Sequence, residues 1–322
     1  MSHEPAVQHL KAINELKAEI GKQIVGQETL VERVLVALIS SGHVLLEGVP
    51  GLAKTRLLTT ITTCIDAQMS RVQFTPDLLP SDLIGTEVFR PQAGDFVIRK
   101  GPIFANLLLA DEINRAPAKV QSALLQAMQE REVTIGEETF ALPDPFLVLA
   151  TQNPIEQEGT YRLPEAQLDR FLMKVVVEYP SFEDEVSILR QTSEEVLNPV
   201  VAKKIFPISY LRDLRKASYD VFVDEKIDRY IVALIQASRE PEKHGLEDMV
   251  DWGASPRGAI ALKSCARSLA FLRGKGFVSP DEIKAIAIEV LRHRILPSIE
   301  AEARNIDSDS IIEALLKSVP IP

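Results

Sequence analysis

Cysteine is scarce in this sequence, with only Cys64 and Cys265 among 322 residues. The two form neither a CxxC pair nor a metal-ligand pattern, which argues against a disulfide scaffold and favours a reducing compartment. Basic charge is also in deficit, since 46 acidic residues against 36 basic ones give a formal net charge of -10. This balance disfavours a protein whose main task is to bind nucleic acid.

No apolar run approaches the roughly 18 residues of a membrane span, and the first ten residues lack a signal-peptide pattern. We therefore expect a cytoplasmic protein without a transmembrane segment.

Short apolar runs alternate with helical patterns in the first part of the chain. Helical spacing of apolar residues is clear over 55–65 and 119–130. The runs that lie between such stretches predict five buried parallel strands, at 43–47, 71–75, 106–110, 146–151 and 174–178. This alternation is typical of an α/β fold with a doubly wound parallel sheet.

The pattern changes near residue 180, after which we expect strands to disappear and helices to take over. Ser279, Pro280 and Glu282 form a strong helix start, because a capping serine, a first-turn proline and a third-position glutamate satisfy free backbone donors. We predict an α/β domain over 1–195 and an all-α lid domain over 196–322. A connecting segment that contains three prolines could let the lid move, and these are Pro180, Pro199 and Pro207.

A phosphate-binding loop is predicted directly after the first strand. The segment nearly matches GxxxxGK[ST], and it consists of Gly48, Val49, Pro50, Gly51, Leu52, Ala53, Lys54 and Thr55. A loop with small side chains can surround phosphate oxygens with N–H groups, and the following helix N-terminus adds a favourable field. Lys54 would contact the β- and γ-phosphates and Thr55 would bind Mg²⁺. Ala53 replaces the usual glycine, but a methyl group leaves the N–H available unless the backbone requires a positive φ. The alternative is an ordinary turn with a chance lysine.

Acidic and amide side chains follow two later strands. Asp111 and Glu112 end the third predicted strand, where open sheets bind ligands. Asp111 would hold hydrated magnesium, and Glu112 would orient and deprotonate the attacking water. Asn153 emerges from the fourth strand and could position that water. The alternatives are a strand that ends in solvated acids and a turn-forming asparagine.

Two arginines complete the predicted site. Arg170 precedes the fifth strand and could reach the γ-phosphate in a neighbouring subunit, with Arg115, Arg131 and Arg162 as rivals. Arg257 follows Ser255 and Pro256 at a helix start, where the helix dipole disfavours a positive charge unless an anion is near. A surface ion pair is the alternative for Arg170, and a local carboxylate partner is the alternative for Arg257.

The motif blocks resemble those of MoxR-type AAA+ ATPases across roughly residues 24–294, and they occur in the order GVPGLAKT, FTPDLLPSDLIG, LLLADEINRAP, ATQNP, LPEAQLDRF and SPRG. Relatives of this type often carry alanine at the position of Ala53. The resemblance implies a five-stranded P-loop NTPase core, a C-terminal lid and a ring of six copies with ATP and Mg²⁺ at the subunit interfaces. It also implies that Asn153 is the first sensor, Arg170 the finger and Arg257 the second sensor, and that Gln27 lies near the adenine.

Two inserted hairpins are predicted, near 86–100 and 133–142. Similar insertions in MoxR relatives face the ring's pore or a client, and the alternative is that both are solvated decorations. The resemblance further implies remodelling or maturation of protein clients, including proteins with von Willebrand factor A domains. A nucleic-acid motor and a non-hydrolysing nucleotide switch remain open as other classes.

Overall fold

The computed structural model describes residues 3–48, 54–153, 160–197 and 201–322. A parallel five-stranded sheet in the order β2-β5-β8-β1-β9 forms its centre. Its strands confirm the five predicted ones, with small shifts at their ends: β1 (Val44–Glu47), β2 (Met69–Gln73), β5 (Leu107–Asp111), β8 (Leu147–Gln152) and β9 (Met173–Val176).

Helices cover both faces of this sheet and connect its strands. In chain order they are α1 (His3–Gly21), α2 (Glu28–Ile39), α3 (Lys54–Cys64), α4 (Pro80–Ile84), α5 (Ala118–Glu130), α6 (Glu165–Leu168) and α7 (Phe182–Leu197). Two antiparallel hairpins stand apart from the sheet, as predicted, and they are β3 (Gly85–Arg90) with β4 (Asp95–Lys100) and β6 (Glu132–Ile135) with β7 (Glu138–Ala141).

The C-terminal part is mainly helical. Its helices are α8 (Tyr210–Tyr219), α9 (Glu225–Ala237), α10 (Pro256–Leu272), α11 (Pro280–Leu291), α12 (Ile299–Ala303) and α13 (Ser308–Ser318). The expectation that strands disappear after residue 180 is wrong in one place, because β10 (Val250–Trp252) pairs with β11 (Leu296–Pro297). So short a pair has little alternating apolar pattern to reveal it. The start of α11 is confirmed, since the backbone N–H and the hydroxyl of Ser279 both donate to Glu282, at 3.0 and 2.7 Å.

Successive side chains along the strands point to opposite faces of the sheet, and each face packs into its own apolar core. Val44 and Leu46 face one core, whereas Leu45 between them faces the other, as the period of two along a strand requires. The first core is continuous with the apolar faces of α10 and α11, so the C-terminal helices share it with α2. Polar contacts add to this packing, because Arg33 on α2 donates from Nε to Glu289 on α11 at 2.7 Å.

The domain boundary at 195/196 and a moving lid remain predictions. Among the three connecting prolines, Pro199 lies outside the described residues. None of the helices in the described ranges is long and apolar enough to cross a lipid bilayer.

Candidate functional site

The predicted nucleotide residues lie at one edge of the sheet. Lys54 and Thr55 begin α3 shortly after β1, Asp111 ends β5, Glu112 follows it, and Asn153 follows β8. Strands β5, β8 and β1 are neighbours in the sheet, and all three are parallel. Their carboxyl ends therefore bring these side chains to a common edge, where open α/β sheets bind ligands.

Lys54 occupies the position expected of a phosphate-binding lysine. Its Nζ donates to the carbonyl of Gly48 at 2.9 Å. Burial lowers the pKa of the Lys54 ammonium, while the negative charges of Asp111 and Glu112 act in the opposite direction. The middle of the predicted loop lies outside the described residues, and this part comprises Val49, Pro50, Gly51, Leu52 and Ala53. Gly48 itself is tightly placed, since an added Cβ would lie 2.7 Å from the carbonyl oxygen of Val177.

Asp111 is a buried carboxylate with a cation on one side. Arg71 on β2 donates from Nε to Asp111 Oδ2 at 2.7 Å, and the Thr151 hydroxyl donates to Oδ1 at 3.4 Å. A carboxylate with so little exposure requires a counter-charge, because its desolvation is otherwise costly. Arg71 supplies this charge here.

Glu112 is held in an unusual backbone conformation beside Asp111. Its φ is 56°, in the left-handed region, which costs of order 1–3 kcal/mol for such a residue and clusters at functional sites. Its backbone N–H donates to Thr151 Oγ1 at 2.9 Å. Its Oε2 accepts from Gln73 Nε2 at 2.7 Å and from Arg115 Nη1 at 3.0 Å. The carboxylate is thus aimed by two donors from different elements.

Arg71, Gln73 and Thr151 are site residues that the sequence analysis missed. Arg71 and Gln73 stand two positions apart on β2, so they point to the same side. Two long polar side chains on the same side of a strand that ends at this edge are a signal from which both could have been predicted as site residues. However, Gln73 lies opposite Asp111 only because β2 pairs with β5, and the sequence alone does not reveal that pairing.

Gln27 lies at the same edge, through the segment that follows β9. Its Nε2 donates to the carbonyl of Glu178 at 3.2 Å. The preceding residue, Val177, donates its N–H to Glu47 O at 2.7 Å and approaches Gly48. Gln27 is therefore close to the start of the predicted loop.

The two predicted arginines lie elsewhere. Arg170 precedes β9, whose first residue Met173 pairs with Val44, and the N–H of Leu172 donates to His43 O at 2.8 Å. Arg170 is therefore at the amino edge of the sheet. The four residues of β1 separate this edge from the carboxyl edge by roughly 13 Å.

Arg257 lies at the amino edge as well. Its Nη1 is 3.7 Å from Asp169 Oδ2, so the local carboxylate partner considered as an alternative is present. The Arg257 side chain is nevertheless more than half exposed, so it can also contact a further anion. Arg170 follows Asp169 in the chain and Arg257 approaches the Asp169 carboxylate, so both arginines lie at the amino edge and away from Lys54.

The rival arginines have other contacts. Arg115 contacts Glu112 in the carboxyl-edge site, as described above. Arg131 donates to the carbonyl oxygens of Phe146 and Ser41, which fixes the turn after α5. Arg162 is exposed.

Comparison with known proteins agrees with this architecture. Residues 43–173 match the family model described as ATPase family associated with various cellular activities (AAA), and 245–315 match the AAA lid domain. A candidate ATPase from Cytophaga hutchinsonii, solved by crystallography, is similar with a TM-score of 0.92 and 46% identity, covering 99% of this chain and 97% of that chain.

Among curated relatives, Chaperone MoxR1 of Mycobacterium tuberculosis is 48% identical over 94% of this chain and 81% of its own length. Protein MoxR of Methylorubrum extorquens is 31% identical over 94% of this chain and 93% of its own length. These relatives and the matched AAA and lid models show that the chain belongs to the MoxR family of AAA+ ATPases.

Proposed function

We propose that this protein hydrolyses ATP at the carboxyl edge of its sheet and uses the cycle to remodel protein clients. The observation that carries the proposal is the convergence of Lys54, at the start of α3, with Asp111 and Glu112, at the end of β5. Lys54 binds the β- and γ-phosphates, Glu112 accepts a proton from the attacking water, and Asn153 orients that water. Nucleotide binding without hydrolysis would not require the Glu112 carboxylate to be held in this orientation.

The residues at this edge fit Mg²⁺. Asp111 offers a carboxylate and Thr55 a hydroxyl, and hard cations of this kind prefer oxygen ligands and keep several waters and phosphate oxygens. When bound, the ion would offset phosphate charge. Arg71 binds Oδ2 of Asp111 at 2.7 Å, whereas Oδ1 has a long contact of 3.4 Å from Thr151, so Oδ1 and the Thr55 hydroxyl are the oxygens that would hold the ion.

We infer that Arg170 and Arg257 serve the nucleotide of a neighbouring copy. The β1 strand stands between both arginines and their own Lys54, whereas an arginine supplied in trans can contribute about 10³ to 10⁵ in rate. This arrangement supports a ring with nucleotide at each interface, for which six copies are proposed. The second sensor then acts across the interface rather than within one subunit.

Two observations support the proposed remodelling of clients. One curated relative is named a chaperone, and the β3–β4 hairpin presents Phe89 and Phe96 with about half or more of each ring exposed. Exposed aromatic rings on a projecting hairpin are typical of contact surfaces. Clients with von Willebrand factor A domains remain part of this proposal.

Two substitutions test the hydrolysis site. Lys54→Ala should abolish binding of a fluorescent ADP analogue, because the charge that meets the phosphates is lost. Glu112→Gln should bind the analogue normally and lower phosphate release at least about 100-fold, the usual contribution of a general base. Lys119→Ala and Glu247→Gln, both exposed, serve as matched controls and should match the wild type. Normal turnover by Glu112→Gln would remove the assigned base.

A further inference from the structure

Asp169 carries a carboxylate that contacts two arginines, Arg294 and Arg257. This residue directly precedes Arg170 and lies where α6 adjoins the first turn of α10 and the end of α11. Both of its oxygens are used: Oδ1 accepts from Arg294 at 2.7 Å, and Oδ2 accepts from the Ser255 hydroxyl at 3.1 Å and faces Arg257 at 3.7 Å.

Arg294 is the fixed partner of Asp169. Its side chain is only 3% exposed, and each of its three nitrogens donates to the segment before β9 or to α11. The acceptors are the Asp169 carboxylate and the carbonyl oxygens of Asp169, Phe171, Leu172 and Val290. These bonds hold the backbone on both sides of Arg170, so they fix the point from which the Arg170 side chain extends.

Arg257 is the exchangeable partner. Its side chain is 56% exposed, and its contact with Asp169 is a single approach beyond hydrogen-bond distance. Ser255 accepts the backbone N–H of Arg257 at 3.2 Å while its hydroxyl donates to Asp169. Asp169 therefore places the first turn of α10, and with it the root of the Arg257 side chain, beside Arg170.

We propose that Asp169 is a positioning residue that, locked by Arg294, holds Arg257 beside Arg170 so that both guanidinium groups face a neighbouring copy's triphosphate as one pair. The inference rests on the proposed function. Paired guanidinium groups suit a triphosphate, because several oxygens share the developing charge and planar donors match them. A triphosphate carries more charge than one carboxylate, so Arg257 can turn to it while Arg294 keeps Asp169 in place.

A double-mutant cycle between Asp169 and Arg257 tests this inference. Asp169→Asn keeps an oxygen for Arg294 Nε but presents an amide, without charge, to Ser255 and Arg257. We expect kcat for ATP hydrolysis to fall about tenfold to a hundredfold, since a displacement of about 1 Å in a positioned group can cost about a hundredfold. Binding of the fluorescent ADP analogue should not change, since the chain's own nucleotide site lies at the other edge. In the Arg257→Gln background, the same substitution should have little further effect on kcat.

Controls separate positioning from folding. Trp252 is the only tryptophan and lines a cavity of about 510 Å³ with Asp169, Ser255 and Arg294, so its emission reports whether this junction is assembled. Asp228→Asn removes another aspartate that pairs with a basic side chain of α10, Lys263, and should leave kcat unchanged. If Asp169→Asn alters the Trp252 emission or the melting temperature, Asp169→Glu, which retains the carboxylate, replaces it in the cycle and should recover part of the kcat.

Equal losses of kcat in the wild-type and Arg257→Gln backgrounds would overturn the inference, because Asp169 would then act independently of Arg257. So would a weaker affinity for the ADP analogue with normal kcat. These outcomes leave the proposed function standing. That function fails separately, if Lys54→Ala and the wild type release phosphate equally.

Discussion

At the scale of single residues, each edge of the sheet holds ionisable side chains whose partners come from other elements. Asp111 has Arg71, Glu112 has Gln73 and Arg115, and Asp169 has Arg294. His43, by contrast, is buried as a neutral ring just before β1. Its Nδ1 accepts the Val148 N–H at 3.0 Å, so the proton is on Nε2, which donates to Met128 O at 3.1 Å.

The buried ring of His43 makes stability depend on pH. Burial, helped by the charge of Arg131, lowers its pKa from 6.5 to about 3. Below pH 6.5 the unfolded chain binds a proton that the folded chain does not, so stability falls as pH decreases toward 3. His43→Gln retains a donor and an acceptor but cannot titrate. Between pH 6 and 4 we expect the unfolding free energy of wild type to fall more steeply, by about 1.4 kcal/mol per pH unit.

Urea unfolding at several pH values measures this difference. His293, which is also buried with a pKa well below its usual value, is present in both proteins and cancels. Parallel pH profiles for wild type and His43→Gln would show that the ring is not the source of the acid sensitivity.

At the scale of elements, the two hairpins form one unit. Lys100 on β4 lies 4.7 Å from the Phe104 ring centre and 4.8 Å from that of Phe140 on β7. The turn of the second hairpin meets the first, because an added Cβ at Gly136 would fall 2.0 Å from a carboxylate oxygen of Glu87. A client that pulls on one hairpin would therefore also displace the other, which adjoins α5.

The exposed pair on the β3–β4 hairpin should matter for clients rather than for folding. The Phe89 and Phe96 rings lie 5.2 Å apart and are 51% and 66% exposed, so replacing both with serine should change the melting temperature little and leave basal ATP hydrolysis intact. We expect any stimulation of hydrolysis by a reduced, carboxymethylated polypeptide to drop at least about threefold, since aromatic contacts dominate such interfaces. Ile299→Ser, which changes an apolar side chain that is 82% exposed on α12, is the control. Equal stimulation in all three proteins would assign the hairpin no role in client contact.

At the scale of the whole molecule, the sheet separates two half-sites. The carboxyl edge carries the residues proposed to bind phosphate, metal and water, and the amino edge carries Arg170 and Arg257. Neither half is complete alone in the described part of the chain, so assembly is expected to create the full site. The core shared between the sheet helices and the lid helices makes each copy a continuous body that can present its amino edge to the next.

Mixing two inactive variants tests this division. Lys54→Ala retains Arg170, and Arg170→Ala retains Lys54, so an interface that joins them in the right order contains both groups. Phosphate release should be low in each pure variant and should rise in mixtures, with a maximum near equal amounts. The measurement requires that the copies exchange, which a labelled wild-type pair shows. If exchange occurs and no ratio restores turnover, Arg170 is not the residue supplied in trans.

Local signals in the sequence determined much of this protein. Apolar runs of strand length predicted the five strands of the parallel sheet, and the Ser279 and Glu282 pair predicted the start of α11. The motifs that end in Lys54 and Thr55 and in Asp111 and Glu112 predicted that these residues share one edge of the sheet. Each of these depends on residues that are close in the chain, where period, capping and turn chemistry act. Neighbouring motifs therefore reveal the carboxyl edge well.

Tertiary structure alone decided which distant residues meet. Arg71 and Gln73 reach the acidic pair only because β2 lies next to β5, and Arg257 meets Asp169 because α10 packs at the amino edge, although nothing near Arg257 in sequence indicates that edge. Strand order and lid placement follow from the packing of whole apolar faces. The stability of this packing is the sum of many weak contacts between residues that are distant in the chain. The sequence by itself determined which residue types are available to each proposed half-site, and only the fold decided that the two groups lie on opposite edges.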